Sequence, residues 1–327
     1  MNPRTFDRRF VIVSGKGGVG KSTVSAAIAL AAARFGLRTC VLQLNSREAI
    51  AHYFDRPPVG FDPVRLSDQL PLYAANLRPE DALREYGIMK LRFRALYRLV
   101  FENEVMRRLL RMVPGLNETV LLGKAWYMEN ELYDAEGRPE WDLLVVDAPA
   151  TGHGVSLLQL PETILGAVPV GPMAEDARQM RALLVDPRRT SFHVVTLPQE
   201  LPVNEALELA GEARRSVGVP GGFLIANGVL GDTVGDVTAE ALAAVSLGIR
   251  GDDSVVADSL DAAASWQRRR ADQQIQLGRL RASSTLPVLE LPMLFPGPDL
   301  AGLETLGAAL AAHMGPPAQR RSERSPA

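Results

Sequence analysis

Phe10-Val11-Ile12-Val13-Ser14-Gly15-Lys16-Gly17-Gly18-Val19-Gly20-Lys21-Ser22-Thr23 is the stretch from which the fold of this chain is read. Arg9 to Ser14 has the composition of a short buried strand, and Ser22 to Phe35 reads as an alanine-rich helix stopped by Gly36. Between them Gly15 to Ser22 satisfies G-x-x-x-x-G-K-[ST], in the strand, loop and helix setting that a phosphate-binding loop requires. Glycines let the backbone turn its N–H groups toward a phosphate, and the following helix adds the positive end of its dipole. Lys21 is expected to reach the β- and γ-phosphates of a nucleoside triphosphate, read here as ATP, and the Ser22 hydroxyl to ligate Mg2+. Gly15, Lys16, Gly17, Gly18, Val19, Gly20, Lys21, Ser22 and Thr23 together form the expected nucleotide-binding loop.

Outward from this loop, Thr39 to Leu44 and Trp141 to Asp147 are further apolar strands, followed by Phe192 to Leu197, Phe223 to Ala226 and Val288 to Leu291. Near-continuous apolar strands separated by helical segments predict an α/β fold: a mostly parallel P-loop sheet with helices on both faces. From Leu77 to Leu132 the spacing turns helical and Arg-rich, which predicts a helical insertion over about residues 77–132, either a lid and partner-binding region or a set of ordinary surface helices. Asp236 to Ala282, with Arg268-Arg269-Arg270, reads as a long solvated helix. The expected organisation is one domain over residues 1–314 and a disordered tail over 315–327, where apolar periodicity stops.

Asp147 ends its strand and precedes Ala148-Pro149-Ala150-Thr151-Gly152-His153-Gly154. A carboxylate there can hold the water shell of Mg2+ beside the phosphates, and the small-residue loop after it suits a segment that differs between ATP and ADP states. The same position in an unrelated chain would often be only a helix cap. The loop also matches G-x-G-x-x-G, but a dinucleotide site wants an acidic residue at the end of the second strand, where Asn45 stands, and has no need of Lys21-Ser22.

Composition narrows the function. A net charge of −2 provides no overall basic field, so nucleic acid is not an expected partner. No apolar stretch is long enough to span a bilayer, and charge in Met1 to Phe10 breaks any signal-peptide pattern. One cysteine, Cys40, excludes an internal disulfide and a cysteine-built metal cage, which together point to a cytoplasmic chain. Arg dominates the cations, yet two of the four lysines are Lys16 and Lys21, a pairing that suggests a site where a compact ammonium is required.

The loop with its additional Lys16 resembles the deviant Walker A motif of the ArsA, MinD, ParA and nitrogenase iron-protein class. Asp147 to Gly154, followed by Leu157-Leu158-Gln159-Leu160-Pro161-Glu162, resembles the ArsA-like branch, which includes ATPases that deliver tail-anchored membrane proteins. Thr196 to Val203 and Pro114-Gly115-Leu116-Asn117-Glu118 resemble the same branch, and the likeness runs from about Phe10 to Ala312. It implies a dimeric ATPase in which Lys16 crosses to the partner's ATP phosphates, Asn227 meets the adenine base, and Glu205 lies near acidic positions that engage the partner's nucleotide or metal. It also implies a client or membrane partner, with peripheral membrane association.

Two departures bear on activity. The family commonly carries Asp-Pro-Ala-His after the second strand, with its Asp orienting the attacking water; this chain has Asn45-Ser46-Arg47-Glu48. Slow turnover, substitution by Glu48, or completion of the site by a second subunit would each follow, and either a homodimer or a heterodimer with an ArsA-like paralogue fits. Arsenite-responsive members use several thiols and zinc-clasped targeting factors a C-x-x-C pair; with Cys40 alone neither is expected. The competing readings are a non-hydrolysing nucleotide-dependent scaffold and a ParA-like or MinD-like positioning ATPase. Balanced charge argues against DNA binding, and the tail from Pro316 makes a poor amphipathic membrane helix.

Overall fold

The computed structural model describes residues 5–46, 49–90, 115–130, 133–135, 137–149, 155–235, 237–249, 254–295 and 297–317. Its strands are β1 (Phe10–Ser14), β2 (Thr39–Leu44), β3 (Val64–Arg65), β4 (Leu72–Leu77), β5 (Leu143–Asp147), β6 (Thr190–Thr196), β7 (Gly221–Val229) and β8 (Val288–Pro292). They form one sheet in the order β3-β4-β2-β5-β1-β6-β7-β8. Every pairing is parallel except that of β3 with β4, so a two-residue antiparallel strand closes one edge. The α/β class read from the sequence is the observed one.

Alternation along each strand feeds two cores, which is why the strands are apolar throughout. Phe10, Ile12, Leu42, Leu144 and Val146 face one layer, whose helices are α3 (Leu116–Asn130), α4 (Ser156–Ala167), α5 (Pro172–Val185), α6 (Glu200–Glu212) and the end of α8 (Ser254–Ser283). Val11, Val13, Val41, Val145, Ile225 and Leu289 face the other layer, formed by α1 (Lys21–Arg34) and α9 (Leu300–Met314). The run of small residues in α1 lets α9 approach closely: Ala27 and Ala31 pack with Leu303, Leu306 and Leu310.

Two elements differ from the expectation. No strand is anticipated between Ser46 and Asn76, yet β4 pairs along the full length of β2. Ala74, Ala75 and Asn76 are weak strand formers, and burial of Leu72, Ala74 and Leu77 against the sheet overrides that local preference. The stretch read as one long helix from Asp236 is two: α7 (Ala239–Ile249) and α8, packed together through Ala239, Leu242 and Ala264. Gly248 near the end of α7 is a poor helix former, and an apolar stripe on each helix favours a hairpin over a single rod.

In the segment expected as an insertion, Leu77 ends β4, and α2 (Pro79–Lys90) and α3 are helices joined by Lys124 Nζ, which pairs with Glu85 at 2.7 Å and lies 5.2 Å from the ring centre of Phe61. Residues 91–114 and most of the expected tail, 318–327, lie outside the described residues. At the end of the sheet remote from the β1–α1 loop, Glu129 of α3 is 1% exposed and pairs with Arg189, at the start of β6, and with Arg9, at the start of β1, 3.5 Å away. Among the described residues no helix is long and apolar enough to cross a membrane.

Candidate functional site

The site lies at the carboxyl ends of the central strands, where an open parallel sheet gathers its loops. From Gly15 to Gly20 the chain leaves β1 and turns into α1. Gly15 has φ +148°, and a Cβ there would sit 2.2 Å from the carbonyl oxygen of Val195 on β6; Gly20 has φ +90°, and a Cβ there would meet Asn227 Nδ2 at the same distance. Only glycine fits both backbone shape and space at these two positions. Gly20 caps α1 without a side-chain hydrogen bond, so among the described residues no side-chain cap covers the first amides of the helix, where an anion can be received.

Lys16, Gly17 and Gly18 are exposed at the crest of the loop, while Val19 is buried beneath it. Lys21 is 8% exposed and its Nζ donates to the Lys16 carbonyl at 3.0 Å. Burial lowers its pKa and the nearby Asp147 carboxylate opposes that fall. The Lys16 ammonium instead pairs at 2.6 Å with Glu205 of α6. Thr23 lies one step along α1, where its Oγ1 and Tyr53 Oη share a hydrogen bond of 3.0 Å.

Asp147 ends β5 directly below the loop. Ser22 Oγ donates to its Oδ2 at 2.6 Å, and Ser25 Oγ to its Oδ1 at 3.4 Å. The carboxylate is 2% exposed, and burial pushes its pKa up to about 6 against the pull of the Ser22 hydrogen bond, Lys21 and Ser25. A buried carboxylate beside a hydroxyl supplies the hard oxygen donors that suit Mg2+, and its raised pKa marks a charge short of compensation that such a cation would provide.

Asn227 reaches in from β7, its Nδ2 donating to the Val19 carbonyl at 3.0 Å. Asn45 stands at the end of β2 in the left-handed region, with φ 49° and its N–H on the Leu77 carbonyl at 2.8 Å. Glu48 and the loop over residues 150–154 lie outside the described residues. Thus Lys21, Ser22, Asp147 and Asn227 converge on one loop, and Asn45 lies two strands from β1 in the sheet order. Sequence reading missed Ser25, Tyr53 and Gln43. Ser25 is one helical turn beyond Ser22, and Gln43 is a polar residue near the end of an apolar run, signals that spacing alone could have raised.

A parallel sheet with this loop between its central strand and an uncapped helix, and with a strand-end carboxylate beneath it, defines the class of P-loop nucleotide-binding proteins. Comparison with known proteins narrows the class. The profile of the anion-transporting ATPase family, ArsA, matches residues 8–168. ATPase BagA of Mycobacterium tuberculosis (strain ATCC 25618 / H37Rv) is 30% identical over 329 aligned positions, covering 93% of this chain and 92% of that protein. The Escherichia coli arsenical pump-driving ATPase is 27% identical over 237 positions, covering 68% of this chain and 39% of that protein. ATPase ARSA1 of Chlamydomonas reinhardtii is 25% identical over 285 positions, covering 70% of this chain and 36% of that protein. The chain belongs to the ArsA ATPase family.

Proposed function

We propose that this chain binds Mg2+-ATP in the β1–α1 loop and hydrolyses it as one half of a dimer, passing the change of nucleotide state to a client or membrane partner. The observation that carries the reading is the Ser22–Asp147 contact of 2.6 Å directly beneath a glycine loop whose helix is left without a side-chain cap. Ser22 would hold Mg2+ and Asp147 its water shell, and the ion when bound supplies positive charge to the phosphate oxygens. Lys21 is already inside the loop and exchanges the Lys16 carbonyl for phosphate. Lys16 exchanges Glu205 for the phosphates of the facing subunit, a role in trans that rests on the family resemblance. Asn227, which donates to the Val19 carbonyl, would meet the adenine base, a role that rests on the family resemblance.

Calorimetric titration with ATP and Mg2+, followed by phosphate release, tests this reading. Micromolar binding and magnesium-dependent release are expected in the wild type, with both lost in Lys21→Ala. Absence of ATP and ADP binding in the wild type would sink it.

A second reading has its own observation. Asn45 occupies the strand end where a water-orienting carboxylate is wanted, and an amide is a far weaker base. The chain is then a nucleotide-gated scaffold, or the subunit of a heterodimer whose paralogue completes the site. Binding without turnover, alone and with an ArsA-like paralogue, selects the scaffold; turnover restored only by the paralogue selects the heterodimer.

A further inference from the structure

We infer that Gln43 and Asn76 are positioning residues that seat the Asn45–Ser46 turn over the nucleotide site, an assignment that rests on the hydrolytic reading above. Gln43 is fully buried on β2 and Asn76 is 6% exposed on β4. In the sheet they are cross-strand neighbours, and Gln43 is in turn the neighbour of Asp147 on β5. Each lies two residues beyond an apolar residue of the α1-facing core, namely Ala74, Val41 and Val145, so Asn76, Gln43 and Asp147 form one polar row on that face.

The two amides meet at a single residue. Gln43 Nε2 donates to Ser46 Oγ at 3.3 Å, and Asn76 Nδ2 donates to the Ser46 carbonyl at 3.0 Å. The residue before it, Asn45, is anchored through its own N–H to Leu77 and held in a left-handed conformation. Three hydrogen bonds from two strands therefore fix the first turn that leaves β2 beside the Asp147 row. The same segment is tied again at Tyr53, which shares its hydrogen bond with Thr23 on α1. The described chain is thus held on both sides of residues 47–48, at Ser46 and at Tyr53.

Packing alone does not account for these side chains. Asn76 Oδ1 is buried and accepts no hydrogen bond among the described residues, a cost that a leucine would not incur. An amide pair buried next to Asp147 and aimed at one turn is explained by what it holds. Misplacing that turn shifts whatever group orients the attacking water, which acts on turnover and not on the affinity of the P-loop for phosphate.

The test is amide hydrogen exchange on the full chain, with and without Mg2+ and a non-hydrolysable ATP analogue, beside phosphate release and urea unfolding. In Gln43→Leu and Asn76→Leu the peptide carrying Asn45 and Ser46 is expected to exchange about tenfold faster than in the wild type. The peptide carrying Gly15 to Ser22 should keep its protection by the analogue, and kcat should fall about tenfold with KM for ATP unchanged. Unaltered exchange at Asn45 and Ser46 in both variants overturns the inference. So does a loss of stability with kcat intact, which assigns the amides to the core alone. Lack of analogue protection at Gly15 to Ser22 in the wild type defeats the nucleotide reading instead, and the nucleotide-free exchange of the Asn45 peptide then decides the inference by itself.

Discussion

A carboxyl group as enclosed as Asp147 favours its neutral form, and this has a direction in pH. Its pKa lies at about 6 in the folded chain against 3.8 when unfolded. Between those values the folded chain keeps a proton that the unfolded chain has lost, so stability falls as pH rises through the window. The full effect is ~3 kcal/mol. Asp147→Asn, which removes the charge and keeps the shape, is expected to be more stable than the wild type at pH 8, with the difference closing toward pH 4 in urea titrations. Under the proposed function magnesium would compete with the same proton, so its apparent affinity should drop about tenfold for each pH unit below 6. Beside it, Gly20→Ala forces a Cβ into Asn227 Nδ2 at a backbone angle that disfavours L residues. A loss of about 1–3 kcal/mol in thermal unfolding, together with weakened nucleotide binding, is the expected result.

Between elements, the Glu129 cluster ties α3 to the starting ends of β1 and β6. Its two sides are unequal. Glu129 is buried, while Arg9 and Arg189 keep roughly a quarter to a third of their surface in water. Removing Glu129 leaves cations that can rehydrate, whereas removing Arg189 leaves a sealed carboxylate with Arg9 alone. Arg189→Met is therefore expected to cost about 3 kcal/mol and Glu129→Leu about 1–2 kcal/mol, measured by chemical denaturation. Strands of this kind were legible from the sequence because burial on both faces demands uninterrupted apolar residues, as in Val11-Ile12-Val13 and Leu143 to Val146. β4 was not, since its alanines and Asn76 have no strand preference of their own and are held by pairing to β2. Lys21, Ser22 and Asp147 were legible because the motif fixes their spacing around a strand and a helix. Tyr53 was not, because its contact spans 30 residues and no local pattern announces it; Glu205 was reached only through the family resemblance, since its contact with Lys16 spans 189 residues.

At the scale of the molecule, Lys16 is the residue through which nucleotide state would become association. In the single chain its ammonium is held by Glu205. Light scattering with the ATP analogue and Mg2+ is expected to show mass doubling in the wild type, and none in Lys16→Ala, with binding of the analogue retained in the variant. Doubling that persists in the variant would remove Lys16 from any role between subunits. The geometry of the sheet limits where such a second subunit can sit. The outermost strand beyond β4 is two residues long, runs antiparallel to its neighbour and ends in Arg65. So brief a border offers almost no row of open amides and carbonyls for another chain to zip onto. Copies of this protein should therefore resist fibril-like stacking along that flank, and a second subunit joined under the proposed function would have to meet this one elsewhere on its surface.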